Sequence, residues 1–342
     1  MAEAGADSST QADAGAPDAT LDAPVTDSSG PPPPDAAACE DAGGHCEIIL
    51  SEPAVEATWL TLDSTSTYVY FTTQGSISSS IPGAVSRVPV NGGPTTVLAM
   101  GGIPMGVVVD SANVYWADYG QSQILVAALD GVADAGAGTV FAPNESGAEN
   151  LAIDANNLYW ITITGEVRQK SLTGSGAATT IGTAIEPGGL ALYGSNVYFT
   201  DFNNGMAAGG AVYSVPIGGS TRTTLATGLT SPQSVFVDAS GIYVGTSDSV
   251  LLIPLAGLPD GGSPTVIASG QGYIGGVVVA GSTVYWTDES AAGSLDSAPT
   301  SGAGPVTPLL SGLYQPLGLA VDSRNLYFCE LSPSGFVAQL SR

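Results

Sequence analysis

Seven times along the chain a tyrosine precedes a bulky apolar residue: Tyr70-Phe71, Tyr115-Trp116, Tyr159-Trp160, Tyr198-Phe199, Tyr243-Val244, Tyr285-Trp286 and Tyr327-Phe328. The tyrosines are spaced by 45, 44, 39, 45, 42 and 42 residues, the period at which a four-stranded sheet repeats around a propeller axis. Aligned on them, each unit opens with an apolar run ending in Asp, as at residues 106–110 and 318–322. Such continuous runs suit inner strands buried on both faces. A tight turn follows, closed by Asn113, Asn157, Asn196, Gly241 or Asn325, types that tolerate positive φ. The Asp at the turn's start can accept bonds from the amides beyond it. The tyrosine strand comes second. A third strand with a late proline (residues 85–90 and 212–217), a glycine hairpin and a fourth strand (residues 95–98 and 265–267) complete the unit.

The last unit stops after its third strand, at residues 336–342, and Glu47-Ile48-Ile49-Leu50 is expected to supply its missing edge. The prediction is an all-β fold over residues 47–342: a seven-bladed β-propeller of four-stranded antiparallel blades, the last closed by an N-terminal strand. A closed ring leaves no edge to pair, so a monomer is expected.

Only 11% of residues are charged against 44% apolar, enough for a large core. The formal charge is −25, and residues 1–46 hold nine of the 31 acids with no Lys or Arg, leaving the remainder near −16. That field repels phosphate backbones and anionic membrane surfaces, which excludes nucleic acid as a partner class. Cations, cationic peptides and neutral glycans stay open. No apolar run is long enough for a transmembrane helix, and no signal peptide is visible from Met1 onward.

From Met1 to about Gly44 the chain is nearly all Ala, Asp, Gly, Ser, Thr and Pro, without an aromatic residue. It buries too little apolar surface to offset its ordering entropy, so residues 1–46 are expected to be a disordered linker. The tail resembles the acidic Ala/Asp/Gly linkers of bacterial lipoproteins. That resemblance implies an extracytoplasmic protein (secreted, periplasmic or lipoprotein-anchored), its signal and lipidated cysteine lying upstream. Cys39 and Cys46 enclose a short loop that can close as a disulfide in an oxidising compartment. A bridge from the tail to Cys329 is the alternative. His45 is the chain's single histidine, too little for a zinc site.

Tyr285-Trp286-Thr287-Asp288 is a literal YWTD tetrapeptide, with Tyr115-Trp116-Ala117-Asp118 and Tyr198-Phe199-Thr200-Asp201 as variants. Over residues 47–342 the chain resembles the YWTD propellers of low-density-lipoprotein receptors, and the strand at residues 316–322 is similar to NHL propellers. Two departures stand out: those YWTD rings have six blades, and the unit at Tyr243 reads Tyr-Val-Gly-Thr. The resemblance implies that the tetrapeptide braces blades rather than binding a ligand.

Propeller ligands favour the mouth of the central channel, lined by loops before the inner strands and after the second ones. Counting back from the tyrosines places Glu56, Glu149, Asn150, Glu186, Gln233 and Gln315 there as candidate ligand-binding residues, with Asp118, Asp201, Asp288 and Glu330 on the same face. Oxygen donors without histidine or thiolate suit a hard cation such as calcium, with Glu149, Asn150 and Glu186 as its ligands. The leading expectation is a non-enzymatic binding or scaffold protein that recognises a protein, peptide or glycan on this upper face, with Tyr273, Tyr314 and Phe202 as contacts. The alternative is a calcium-dependent hydrolase similar to propeller lactonases, its cation polarising a carbonyl and activating water. Ser-His triads are excluded from the propeller, because His45 lies in the tail and the one lysine, Lys170, on an outer strand. Cys329 has no histidine to activate it as a nucleophile.

Overall fold

The computed structural model describes residues 40–42 and 45–342, apart from 55, 76–80, 204–208, 220 and 333, with backbone only for 40–42, 45 and 133. The chain divides into two units, Met1–Pro32 and Pro33–Arg342, and the described residues all belong to the second. Of the linker expected over residues 1–46, residues 1–39, including Cys39, and 43–44 lie outside the described residues.

Seven antiparallel sheets form the propeller. Their inner strands are Ala57–Leu62, Pro104–Val109, Ala148–Ile153, Pro187–Tyr193, Ser234–Asp238, Ile274–Ala280 and Pro316–Val321. Each packs beside the next and the seventh packs beside the first, so the ring closes with seven blades. The apolar core is correspondingly seven wedges, each shared by two adjacent blades. Trp116, for example, sits with Tyr70, Val85 and Leu98 of blade 1, and Tyr327 of blade 7 sits with Leu60, Val69 and Val88 of blade 1.

The tyrosine repeat has a polar cause at the turn below it. Asp110 accepts the amides of Ala112 and Asn113 at 2.7 Å, and the Tyr115 hydroxyl donates to its other oxygen at 3.0 Å. Asp154 and Asp322 repeat the arrangement, taking the hydroxyls of Tyr159 and Tyr327 at 2.7 and 2.9 Å. Burial first, and then the Asp110 partner, push the Tyr115 hydroxyl up to about 12, so it stays a donor.

The rest of the tetrapeptide ties blades together. The Thr287 hydroxyl accepts the Gly276 amide at 2.8 Å and donates to the Leu317 carbonyl of the next blade at 3.0 Å. Thr200 does the same with Gly189 and, at a longer 3.5 Å, with Gln233. Asp118 accepts the amides of Ile103 and Gln121, Asp201 those of Ile185, Glu186 and Asn203, Asp288 those of Gly272 and Ser290, and Glu330 that of Tyr314. These carboxylates therefore clasp the loops that enter the inner strands. Inner-strand glycines permit the close approach: a Cβ on Gly106 would lie 2.5 Å from the Glu149 carbonyl oxygen, and one on Gly189 2.6 Å from that of Gln233.

The ring is fastened as the truncated last unit requires. Strand His45–Ser51 pairs with Val337–Ser341, matching Glu47 with Leu340, Ile48 with Gln339 and Ile49 with Ala338. One feature departs from the expected linker boundary: Glu40–Ala42 adds a fifth strand, with Glu40 opposite Glu47. Cys46 is disulfide-bonded. Cys329 is a free, buried thiol, so the alternative bridge from the tail to Cys329 is absent; desolvation raises that thiol to about 12. Among the described residues, no helix is long and apolar enough to cross a membrane.

Candidate ligand site at the channel mouth

On the face where inner strands begin and second strands end, the channel opens into a cavity of about 330 Å³. Its walls include Trp59, Gln74, Met105, Glu149, Ile163, Glu186, Phe202, Glu289 and Leu331. A narrower space of about 170 Å³ continues along the inner strands. Thr58, Trp59, Asn150, Gln233, Gly275 and Leu317 line both spaces.

Asn150, common to the two spaces, bridges three blades. Its amide oxygen accepts the Trp59 indole N–H at 2.5 Å, and its amide nitrogen donates to the Gly188 carbonyl at 2.7 Å. Blades 1, 3 and 4 are thereby joined across the channel. A metal taking the Asn150 oxygen would have to share it with the indole.

Three carboxylates surround the opening. Burial raises the Glu149 carboxyl above the ordinary glutamate value, and the negative charge of Glu186 raises it further. Burial also raises Glu289. The Tyr273 hydroxyl is pushed up by burial and then by the charges of Glu289 and Glu186, so these groups share one electrostatic field. Phe202 leans on the Tyr273 ring, centroids 6.4 Å apart, giving the acidic mouth an aromatic side. Among the described residues, no group of three or more His, Cys, Asp or Glu side chains is placed to hold a metal ion.

Of the six residues selected from the sequence, Glu149, Asn150, Glu186 and Gln233 line the mouth. Glu56 and Gln315 are not among its walls. Both precede inner strands with left-handed backbone, φ 55° and 45°, which aims Cβ differently from Glu186 at the corresponding place in blade 4. Gln74, Trp59 and Glu289 are wall residues that the sequence reading did not select. Glu289 directly follows the YWTD tetrapeptide, so a signal for it stood one residue beyond Asp288.

The two faces of the ring differ. Among the described residues, Ile81, Tyr119, Ile163, Ile185 and Tyr314 are large apolar side chains exposed on upper-face loops of blades 1–4 and 7, with Ile185 the most open at 62%, while Ile49, Val97, Met100, Val140 and Val266 are exposed on outer strands. The turns of the opposite face, such as residues 110–113, 154–157 and 322–325, carry Asp, Ser, Ala, Asn and Arg instead.

No protein-family profile and no curated protein matches the chain. Solved structures do match in fold. A virginiamycin B lyase from Staphylococcus aureus superposes with a TM-score of 0.66 at 11% identity, covering 87% of this chain and 99% of its own. A streptogramin B lyase gives 0.65 at 14% identity, covering 87% and 97%. A nidogen/laminin complex gives 0.53 at 18% identity, covering 69% and 93%. At these identities the likeness establishes the propeller fold alone.

Proposed function

We propose that this protein is a non-enzymatic binding module that docks a protein or peptide partner on its upper face, with the channel mouth at the centre of the contact. The observation that carries this reading is the asymmetry of the two faces: five large apolar side chains are exposed on the upper loops of blades 1–4 and 7, while the Asp-led turns of the opposite face are polar. The nidogen structure, solved as a complex with laminin, is a propeller engaged with a protein partner. A lyase reading fits less well. One lyase structure is of a histidine-to-alanine form described as catalytically inactive, whereas the single histidine here, His45, belongs to the closing strand. An extracytoplasmic setting is part of the proposal and rests on the oxidised Cys46 and the acidic tail. In that setting the chain before the Glu40–Ala42 strand serves as the stalk, with Cys39 the proposed partner of Cys46.

One observation favours the calcium-dependent hydrolase as a second reading: Glu186 and Glu149 repel each other at the mouth, and a cation would relieve them. Calorimetric titration of the full chain with calcium, after exhaustive chelation, separates the two. The binding-module reading expects no calcium uptake. One-site binding that disappears in Glu149→Gln would replace it with the hydrolase and direct the work to lactones and esters.

A further inference from the structure

We propose that the upper face is built to receive a polypeptide segment that inserts one basic side chain, arginine or lysine, into the channel mouth while its apolar neighbours settle on the surrounding loops. The inference rests on the docking reading above and names the chemistry of the occupant.

Charge complementarity selects that occupant. Glu149, Glu186 and Glu289 converge on the cavity, and no Lys or Arg lines it. Two of these carboxyls are partly desolvated, a state that an incoming cation stabilises and a neutral group does not. The bonds from Trp59 and to Gly188 occupy both ends of the Asn150 amide, so the charge is received by carboxylates such as Glu149 and Glu289 rather than by Asn150.

The remaining walls favour an organic cation over a metal ion. Beside Thr58, Gln74 and Gln233 the walls include the apolar Ile163, Phe202 and Leu331, and among the described residues no three acidic, His or Cys side chains are placed to hold a metal ion, whereas calcium takes six to eight oxygen ligands. Apolar and aromatic walls do suit the methylene stem of a lysine or arginine, and Phe202 can stack beneath a guanidinium. A cavity of about 330 Å³ is small for a ligand site, matching a single side chain rather than a folded element. Outside the mouth, Ile185 and Tyr314 are exposed on loops of blades 4 and 7, on either side of it, ready for apolar neighbours of the basic residue. The net charge of the chain, −25, adds long-range attraction for a basic partner.

The test uses the full chain and capped pentapeptides, leucine at the flanking positions and arginine, lysine or citrulline at the centre, titrated by calorimetry. Citrulline keeps the shape of arginine and removes its charge. The expected result is binding of the arginine peptide about tenfold or more tighter than the citrulline peptide. Glu149→Gln with Glu289→Gln should erase that preference. Ile185→Ser with Tyr314→Ser should weaken all three peptides alike while preserving it. Circular dichroism on each variant confirms that the propeller is intact. Equal affinity for arginine and citrulline peptides would overturn the basic-residue inference and leave the docking face standing. Failure of every peptide, with a neutral oligosaccharide bound at the mouth instead, would overturn both.

Discussion

Replacing Gly189 by alanine should loosen the ring by a predictable amount. Its φ is not left-handed, so the argument is one of space alone. The new Cβ would meet the Gln233 oxygen at 2.6 Å, the Val235 nitrogen at 2.8 Å and the Ser234 carbonyl carbon at 3.0 Å. The first falls about 0.8 Å short of the 3.4 Å at which ordinary contact begins. All three atoms are backbone of the neighbouring inner strand, so no side chain can rotate away and blades 4 and 5 must separate. Overpacking of this kind costs about 1–3 kcal/mol, and a rigid obstacle places the site in the upper half of that range. The loss of unfolded-state freedom returns about 0.4–1 kcal/mol, leaving a net destabilisation of roughly 2 kcal/mol. Gly176 is the control: nothing lies within 4 Å of its Cβ position, so Gly176→Ala should be stabilised by about 0.4–1 kcal/mol. Urea unfolding followed by tryptophan fluorescence compares the midpoints, with the slope expected to stay constant. A Gly189→Ala protein as stable as Gly176→Ala would refute the claim that contact between inner strands sets the spacing of the ring.

Two further outcomes concern the mouth and the tetrapeptide. The folded protein holds the Glu149 proton more tightly than the unfolded chain does. Its ionisation therefore destabilises the fold by an amount absent well below 4.5, growing as pH rises through that value and complete above the raised folded value. Glu149→Gln should accordingly raise the unfolding midpoint at neutral pH and lose that advantage in acid; a gain that persists unchanged at pH 3 would contradict the assignment. Thr287→Val leaves the Gly276 amide and the Leu317 carbonyl without their partner, a loss of about 1–3 kcal/mol. Thr200→Val, which gives up a weaker donated bond, should lose less in the same unfolding assay.

The ring was legible in the sequence because its repeat is enforced by chemistry at fixed offsets. Tyr115, Tyr159 and Tyr327 each need an aspartate five residues earlier, so residue types and spacing carry the blade together. The closing strand was legible through a deficit, a last unit one strand short. The site was harder to read. Counting from the tyrosines located Glu149, Asn150, Glu186 and Gln233, since inner strands hold their register, but it missed the left-handed backbone at Glu56 and Gln315. Nor does spacing show that Asn150 spends both ends of its amide on neighbouring blades. Trp59 looks like another core aromatic until its indole is seen to reach 91 positions along the chain.

The fastening of the seventh blade also sets an order of events at the ribosome. The Cys46 amide donates to the Ser341 hydroxyl, 295 residues away. At about 5–20 residues per second, synthesis separates those two groups by roughly 15–60 s. Throughout that interval the strand His45–Ser51 has been made but its native neighbour has not, and an apolar Ile48-Ile49-Leu50 edge invites pairing with another nascent chain. Residues 1–46, which run up to that edge in sequence, carry nine carboxylates and no Lys or Arg, and like charge of this kind disfavours the pairing of two such edges. The charge beside the clasp therefore opposes mispairing during the interval in which there is no propeller to close.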